Sequence, residues 1–220
     1  MAFASGSLME QTEEFPNRRS EERAAAMFRP VVVEIDGYLG FCLVRNLSAN
    51  GMKGQVYSPF ASGQRVKVCL ASDIAIEGAV VWAVDGQIGM QFDEAIDVPS
   101  VLTNLVRSLP GGQVNRPPRL PIRCAGELII ADRTLAIDVQ DISQRGIKAL
   151  TSYVRTGDEV TVRLTGLEPR KAGVRWTRRG SAGFAFLRPI AFEELATWVV
   201  SRQGGAWSSV NGSELAVSAG

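Results

Sequence analysis

Four short motifs occur twice in this 220-residue sequence, in the same order and about 94 residues apart. A single short motif can recur by chance, but four in register indicate a duplicated unit. The spacing is far longer than a solenoid repeat and close to the size of a small domain, so we predict two tandem domains of one fold. The matching segments are Asn46–Lys53 with Asp141–Lys148, Gly63–Val68 with Gly157–Val162, Val80–Trp82 with Val174–Trp176, and Ile88–Phe92 with Ala182–Phe186.

Each copy consists mainly of short runs rich in Val and Ile, separated by turn signals such as Asp-Gly, Ser-Pro and Ser-Gly. Several short strands at this spacing are typical of a small barrel or sandwich. We therefore predict an all-β fold of two tandem six-stranded barrels. The predicted strands are 29–35, 41–45, 52–57, 64–70, 75–84 and 88–92, and then 120–130, 134–139, 147–151, 159–165, 172–178 and 183–187.

Each copy then ends in a segment with helical spacing of its apolar residues, at 98–109 and at 191–201. We expect each C-terminal helix to cap its own barrel, with a homodimer contact as the alternative. The predicted domains are residues 18–109 and 115–203. Residues 110–114, which begin with Pro110-Gly111-Gly112, are predicted as a linker, and residues 1–17 and 204–220 as disordered tails.

Composition argues against several classes of function. The chain has no histidine, which excludes Ser-His-Asp and Cys-His catalysis and the commonest zinc sites. Cys42, Cys69 and Cys124 are widely spaced among apolar residues, which favours small core residues over a nucleophile or redox pair. We therefore expect no enzyme, no metal site and no cofactor.

Charge and hydropathy limit the partners. The formal net charge is +1, so the whole chain has no strong attraction to a nucleic acid polymer or to an anionic membrane. No apolar run approaches the length of a membrane-spanning helix, and the first residues lack the pattern of a secretion signal. The expectation is a cytoplasmic protein that binds neither membrane nor nucleic acid polymer.

The best-defined of the duplicated motifs is Asn46-x-Ser48-x-x-Gly51, repeated as Asp141-x-Ser143-x-x-Gly146. It predicts a strand that leaves into a tight turn, in which Asn, Asp and Ser satisfy backbone groups and Gly adopts a backbone conformation closed to other residues. The same polar side chains can present hydrogen-bond partners to a base edge. A purely structural hairpin is the alternative.

An arginine-rich segment precedes the first barrel and contains Arg19-x-x-x-Arg23, with Arg18 beside it. A guanidinium group binds phosphate or guanine O6 and N7 in a bidentate manner and stacks on purine faces. Such an arm is suited to wrap a nucleotide that rests on the barrel. The alternative is a solvated tail, because Glu21 and Glu22 neutralise much of the charge.

Together, the arginine arm, the predicted barrel and the polar turn resemble the PilZ domain, over about residues 18–108 and again 115–202. In that family these two motifs bind cyclic di-GMP, and the domain acts as a receptor. The resemblance implies a bacterial, cytoplasmic cyclic di-GMP receptor that signals to an unidentified protein effector. A PilZ-fold interaction scaffold that does not bind the nucleotide is the alternative. The candidate binding residues carried over to the first domain are Arg18, Arg19, Arg23, Asn46, Ser48 and Gly51.

The second copy departs from the family pattern in its arm. Counting back from Asp141 makes Arg119 the second arginine, whereas Asn115 occupies the first position and Arg116 is one residue out of register. Arg123 also fits the spacing but is predicted to lie inside the first strand. The alternative is that this domain only packs against the first. Its candidate binding residues are Arg116, Arg119, Arg123, Asp141, Ser143 and Gly146.

Trp82 and Trp176 occupy matching strand positions in the two copies. We predict that both belong to the barrel cores, with a stacking platform for a base as the alternative. Arg175, Arg178 and Arg179 surround the second tryptophan and are expected to form a solvated strand edge.

Overall fold

In the computed structural model, the described residues are 25–71, 74–107 and 117–203. Within them, two successive sets of six strands are each followed by one helix. The first set is β1 (Ala25–Ile35), β2 (Tyr38–Leu47), β3 (Gly51–Val56), β4 (Arg65–Ala71), β5 (Ile74–Val84), β6 (Gln87–Phe92) and α1 (Val98–Arg107); the second is β7 (Leu120–Ile130), β8 (Arg133–Ser143), β9 (Gly146–Leu150), β10 (Glu159–Arg163), β11 (Arg170–Arg178), β12 (Ser181–Phe186) and α2 (Phe192–Arg202).

Each set of strands closes into an antiparallel barrel with the same strand order. Barrel 1 runs β1-β2-β3-β6-β5-β4, and barrel 2 runs β7-β8-β9-β12-β11-β10. The predicted fold class, two tandem six-stranded barrels with a helix after each, is therefore confirmed. Two closed barrels leave no free sheet edge for a partner strand to extend.

The strands follow from alternating burial and from turn chemistry. In β4, Val66, Val68 and Leu70 point into the core while the residues between them are more exposed. The Asp36-Gly37 and Asp85-Gly86 hairpins have positive φ angles at both residues, 48° and 81° in the first and 49° and 70° in the second. Two positive φ angles are what a two-residue hairpin turn requires, which is why Asp-Gly signals predicted these turns.

The duplication extends to the irregularities of the sheets. Register shifts fall between Val44 and Asn46 and between Val80 and Trp82 in barrel 1. In barrel 2 they fall at the matching positions, between Val139 and Asp141 and between Val174 and Trp176. A bulge changes the direction of the side chains next to it. In both barrels, a bulge therefore determines the orientation of the first motif residue (Asn46 or Asp141) and of the tryptophan.

Each helix packs on its own barrel, as predicted, and α2 also contacts the other. Leu105 of α1 is buried in the core of barrel 1, and Leu195 and Val199 of α2 in that of barrel 2. Phe192 of α2 meets Phe41 and Tyr57 of barrel 1 edge-on, with 5.8 Å between ring centroids in both pairs. These aromatic contacts join the two barrels. No helix in the described residues is long and apolar enough to cross a membrane.

Candidate functional site

The Asn-x-Ser turn of barrel 1 is held by hydrogen bonds from two directions. The backbone N–H and the Oγ of Ser48 both donate to the carbonyl of Gly51, at 2.9 and 3.0 Å. The N–H of Phe92, at the end of β6, donates to Asn50 O at 2.9 Å, and the N–H of Ile96, in the segment that follows β6, donates to Ala49 O at 2.8 Å. The turn is therefore a fixed platform at the mouth of the barrel.

The Asp-x-Ser turn of barrel 2 has three equivalent hydrogen bonds. Ser143 Oγ donates to Gly146 O at 3.2 Å. The N–H groups of Phe186 and Ile190 donate to the carbonyls of Arg145 and Gln144, at 3.0 and 2.8 Å. The serine hydroxyls are thus engaged inside the turns, which makes their first role structural.

The glycine of the first motif is required for a reason that the sequence did not indicate. Gly51 does not adopt a positive φ. Instead, a Cβ at this position would lie 2.4 Å from the carbonyl oxygen of Met90, and one at Gly146 would lie 1.9 Å from that of Phe184. The expected special backbone conformation at Gly51 was wrong; the close approach of β6 excludes any side chain.

Cross-strand pairing places three side chains of barrel 1 in one line, which we call outer row 1. Asn46 pairs with Lys53, Lys53 with Gly89, and Gly89 with Trp82, across β2, β3, β6 and β5. Directly paired residues share a face of the sheet, and this one faces outward. Lys53 Nζ lies 5.7 Å from the centroid of the Trp82 ring. The motif asparagine, a cation and an indole are therefore aligned on one surface.

The prediction that Trp82 and Trp176 belong to the barrel cores was wrong. Their exposed fractions are 39% and 40%. Each indole lies over a glycine of the adjacent strand: a Cβ at Gly89 would sit 2.0 Å from Trp82 Nε1, and one at Gly183 would sit 2.2 Å from Trp176 Nε1. The alternative interpretation, an exposed aromatic platform, is the one that the structure allows.

Sequence reasoning also missed the lysine of the row. Lys53 and Lys148 each follow the motif glycine by two residues, and each tryptophan is followed seven residues later by a glycine. These two duplicated spacings were the sequence signals that mark the lysine and the tryptophan as related positions in the two copies. They were not interpretable from sequence because the lysine and the tryptophan meet only through pairing of β3 and β5 with β6.

Barrel 2 carries the equivalent outer row 2, in which Asp141 pairs with Lys148, Lys148 with Gly183, and Gly183 with Trp176. Here the arm reaches the motif directly, because the guanidinium of Arg119 forms an ion pair with the carboxylate of Asp141. Two of the predicted site residues of the second domain, Arg119 and Asp141, are thus brought together.

The other predicted arm residues divide into two groups. Arg123 lies on β7 and is exposed, inside the first strand of barrel 2 as predicted. Arg18, Arg19, Arg23 and Arg116 lie outside the described residues. In β1, Ala26 pairs with Asn46, and Arg23 precedes Ala26 by three residues in the sequence.

The pairing of β7 with β8 gives the equivalent position in barrel 2. In barrel 2 it is Pro121 that pairs with Asp141, and Arg119 precedes it by two residues. Arg23 precedes Ala26, the partner of Asn46, by three residues, so Arg119 is one residue nearer along the sequence to the paired position of its own barrel. Both β1 and β7 pair with the first motif residue of their barrel close to their N-terminal ends.

A cleft of about 330 Å³ lies between the barrels. Arg29 and Pro30 of β1 form one side, and Gln144 and Arg145 of the second motif turn form the other. Arg29 is half-buried, donates from Nε to Leu70 O at 3.3 Å, and has its pKa lowered by burial. The first strand of barrel 1 thus faces the motif turn of barrel 2.

The described residues of the outer rows present groups that are suited to binding. The described part of the chain contains no cluster of three His, Cys, Asp or Glu able to hold a metal ion. Burial raises the pKa of Cys42 to about 12 and also raises the pKa values of Cys69 and Cys124, which keeps these thiols protonated at neutral pH. The outer rows instead offer hydrogen bonds, positive charge and a flat aromatic surface.

Residues 17–109 match the family described as the PilZ domain. This range contains the Arg19-x-x-x-Arg23 segment and barrel 1, and barrel 2 repeats the strand order of barrel 1. No curated protein matches the chain.

Several solved structures are similar to this chain at low identity. PlzA of Borreliella burgdorferi, in complex with c-di-GMP, is 10% identical, with 78% of this chain and 86% of that chain covered and a TM-score of 0.35. YcgR from Escherichia coli, also in complex with c-di-GMP, is 12% identical, with 86% and 88% covered and a TM-score of 0.34. The Bacillus subtilis inhibitor of motility MotI/DgrA is 12% identical, with 83% and 99% covered and a TM-score of 0.33.

Proposed function

We propose that this chain is a non-enzymatic cytoplasmic receptor for cyclic di-GMP, and that barrel 1 binds the nucleotide on outer row 1. The observation that carries the proposal is the pairing of Ala26 with Asn46, since Ala26 follows Arg23 by only three residues in the sequence and pairs with the first residue of the polar turn motif. The match of residues 17–109 to the PilZ domain supports the same assignment.

Each residue of the first site has a distinct role in this proposal. Arg18, Arg19 and Arg23 clamp phosphate or guanine O6 and N7 with their guanidinium groups. The Asn46 amide bonds a base edge. Ser48 and Gly51 keep the turn in place, because the hydroxyl is already donated to Gly51 O and β6 approaches too closely for a side chain.

Outer row 1 adds two further contacts. The exposed Trp82 indole offers a surface on which a purine stacks, and Lys53 lies beside it with a charge for phosphate. These two residues extend the binding surface beyond the arm and the turn.

Barrel 2 is proposed as a second, weaker site. Its set is Arg116, Arg119, Arg123, Asp141, Ser143 and Gly146. The Arg119–Asp141 ion pair already satisfies the motif carboxylate, so a nucleotide has to replace or share that contact. In this proposal, the ring contacts of Phe192 with barrel 1 link the two nucleotide sites to each other. They also link both sites to a surface that binds an unidentified protein effector.

The same ion pair favours one rival function, a scaffold that does not bind the nucleotide. A motif whose acid is paired within the chain needs no ligand to be satisfied, and Asn46 carries no charge in the first motif. In this rival function the two barrels serve only as a rigid surface for a protein partner.

Calorimetric titration of the full chain with cyclic di-GMP separates these functions. We expect saturable binding that weakens by at least about tenfold in Arg19→Ala, because losing one charged hydrogen bond costs about 1.5–3 kcal/mol. Arg133→Ala removes an exposed arginine on the β7–β8 hairpin and should leave the affinity unchanged. Absence of binding by the wild type, or unchanged tight binding by the Arg19→Ala, Arg23→Ala double variant, would refute the proposal.

A further inference from the structure

The near-neutral charge of the chain conceals a separation of charge between its two barrels. Residues 25–107 contain 6 Lys and Arg and 8 Asp and Glu, a formal charge of −2. Residues 117–203 contain 14 Lys and Arg and 9 Asp and Glu, a formal charge of +5. Attraction between ions is screened within about 10 Å at ordinary salt, so the balance of the whole chain does not describe the surface of barrel 2.

Much of this positive charge lies on one face of barrel 2. Lys148 and Trp176 flank Gly183 in outer row 2, and Leu150 and Arg178 flank Ser181 in the next row along the same three strands. Residues two apart on a strand point to the same side, so these four side chains share the outer face of β9, β12 and β11.

Two more arginines extend this face. Arg175 is the bulged residue between Val174 and Trp176, and Arg179 lies in the β11–β12 hairpin with a φ of 47°. Both are exposed. We call Lys148, Arg175, Trp176, Arg178 and Arg179 the basic face. None of its four cations forms an ion pair with any residue in the described part of the chain.

Barrel 1 shows that these arginines are not a requirement of the fold. The positions equivalent to the basic face hold Lys53, Val81, Trp82, Val84 and Asp85, in the same pairing and with the same bulge. The lysine and the tryptophan are shared, whereas Val, Val and Asp stand where barrel 2 has three arginines. The formal charge of the matching positions is therefore 0 in barrel 1 and +4 in barrel 2.

We propose that the basic face of barrel 2 binds single-stranded nucleic acid, with an unstacked base on Trp176 and phosphates at the surrounding cations. A sheet face that combines exposed aromatic rings with unpaired cations suits single strands, because every base has a stacking surface and is followed by a phosphate. Tyr153, with an exposed fraction of 79%, adds a second aromatic ring just beyond β9. An acidic protein segment without aromatic residues would use the charges but would leave the indole without a stacking partner.

Fluorescence anisotropy with the full chain tests this proposal. The probe is a labelled oligouridylate of about 12 nucleotides, which is within the site sizes of small β-barrel domains. We expect saturable binding that weakens between about 50 and 200 mM salt. Each phosphate neutralised on a single strand contributes about −0.7 to the slope of log affinity against log salt, so three or four contacts give a slope of about −2 to −3.

Two variants separate charge from stacking. Arg175→Val, Arg178→Val carries the residues of barrel 1 and should weaken binding by at least about tenfold at low salt, with the slope reduced in magnitude by about 1.4. Trp176→Leu should weaken binding by about fivefold or more with the slope unchanged, because stacking releases no counterions.

A matched control and a competing probe complete the test. Arg133→Val, Arg163→Val removes the same charge beside β7, on the opposite side of the barrel, and should change the affinity less than about twofold. Far-ultraviolet circular dichroism confirms that each variant is folded. The proposal is overturned if oligouridylate does not bind saturably, if the control loses as much affinity as the basic-face variant, or if a glutamate-rich peptide of equal length binds more tightly.

Discussion

The indole of Trp82 occupies the space that a side chain at Gly89 would fill on the neighbouring strand. A Cβ there would lie 2.0, 2.3 and 2.7 Å from three atoms of the five-membered ring. Trp176 and Gly183 repeat the relationship in barrel 2. A large aromatic residue on an outward-facing position is thereby held against the sheet while keeping an exposed surface, which is the requirement for a stacking platform.

This relationship predicts a specific cost for Gly89→Ala. The methyl group forces the indole of Trp82 away from β6, and such overpacking typically lowers the free energy of unfolding by about 1–3 kcal/mol. The measurement is urea denaturation followed by circular dichroism. Gly173→Ala is the matched control, because a Cβ on this strand glycine has no atom within 4 Å, and it should be neutral or slightly stabilising.

A double-mutant cycle tests whether the two residues act on each other. The three nearest atoms to a Cβ at residue 89 all belong to Trp82, so Gly89→Ala should cost much less in a Trp82→Ala background. Additive effects of the two substitutions would contradict the close contact.

The strength of the Arg119–Asp141 ion pair is predicted from its exposure. The side chains of Arg119 and Asp141 are 50% and 21% exposed, so solvent screens their attraction. Arg119→Ala should therefore lower the free energy of unfolding by no more than about 1 kcal/mol. If denaturation instead shows a loss of several kcal/mol, the pair is a structural element and an unsuitable ligand site.

The ion pair between Arg170 and Glu194 serves as a comparison, because its arginine is less exposed to solvent than Arg119. Arg170 is only 18% exposed and donates from Nη2 to both carboxylate oxygens of Glu194, at 2.7 and 2.8 Å. Losing this charged interaction should cost more, about 1.5–3 kcal/mol, in Arg170→Ala. The ordering of the two variants is the informative result.

Much of the architecture could be predicted from sequence because it depends on residues that are close together in the chain. The in-register motifs predicted two barrels, and the Asp-Gly dipeptides predicted the turn at Asp36-Gly37. The first strand was predicted to begin at Arg29 but begins at Ala25, because Ala25 and Ala26 have little strand propensity and are ordered by pairing with β2.

The errors concern contacts between elements that are distant in sequence. Trp82 was assigned to the core because tryptophan is usually buried, whereas the glycine that holds it outside lies on another strand. The contact of Phe192 with Tyr57 joins two domains and leaves no periodic signal in either. The arginines around Trp176 were recognised from sequence, but the pairing that aligns them with Lys148 on one face was not, because it joins strands that are distant in sequence.

The contact between α2 and barrel 1 predicts how the chain unfolds. Phe192→Ala removes both edge-on ring contacts and should lower stability by about 1–3 kcal/mol, since the ring is only partly buried. We expect calorimetry to show one transition for the wild type and two for this variant, because the barrels stabilise each other less when only contacts such as the hydrogen bond from Gln203 Nε2 to Leu39 O remain. Val101→Ala, on the apolar face of α1, is the control and should lower stability without splitting the transition.

The buried thiol of Cys42 predicts a pH dependence of stability. Burial raises its pKa from the ordinary value of 9.0 to about 12 in the folded protein. Between these values the unfolded chain loses the thiol proton and the folded chain keeps it, so the stabilising contribution is complete below about pH 9 and is lost as the pH rises. The free energy of unfolding should fall by about 1.4 kcal/mol more between pH 8 and 10 in the wild type than in Cys42→Ala.

Alkylation of the native protein provides an independent readout of the same burial. At pH 8, iodoacetamide should label the half-buried Cys69 and Cys124 first, whereas Cys42, which is fully buried, should react only as fast as the barrel opens. Peptide mass spectrometry distinguishes the three sites. Rapid labelling of Cys42 under native conditions would show that the interior of barrel 1 is open to solvent, and would contradict both the closed barrel and the predicted pH dependence.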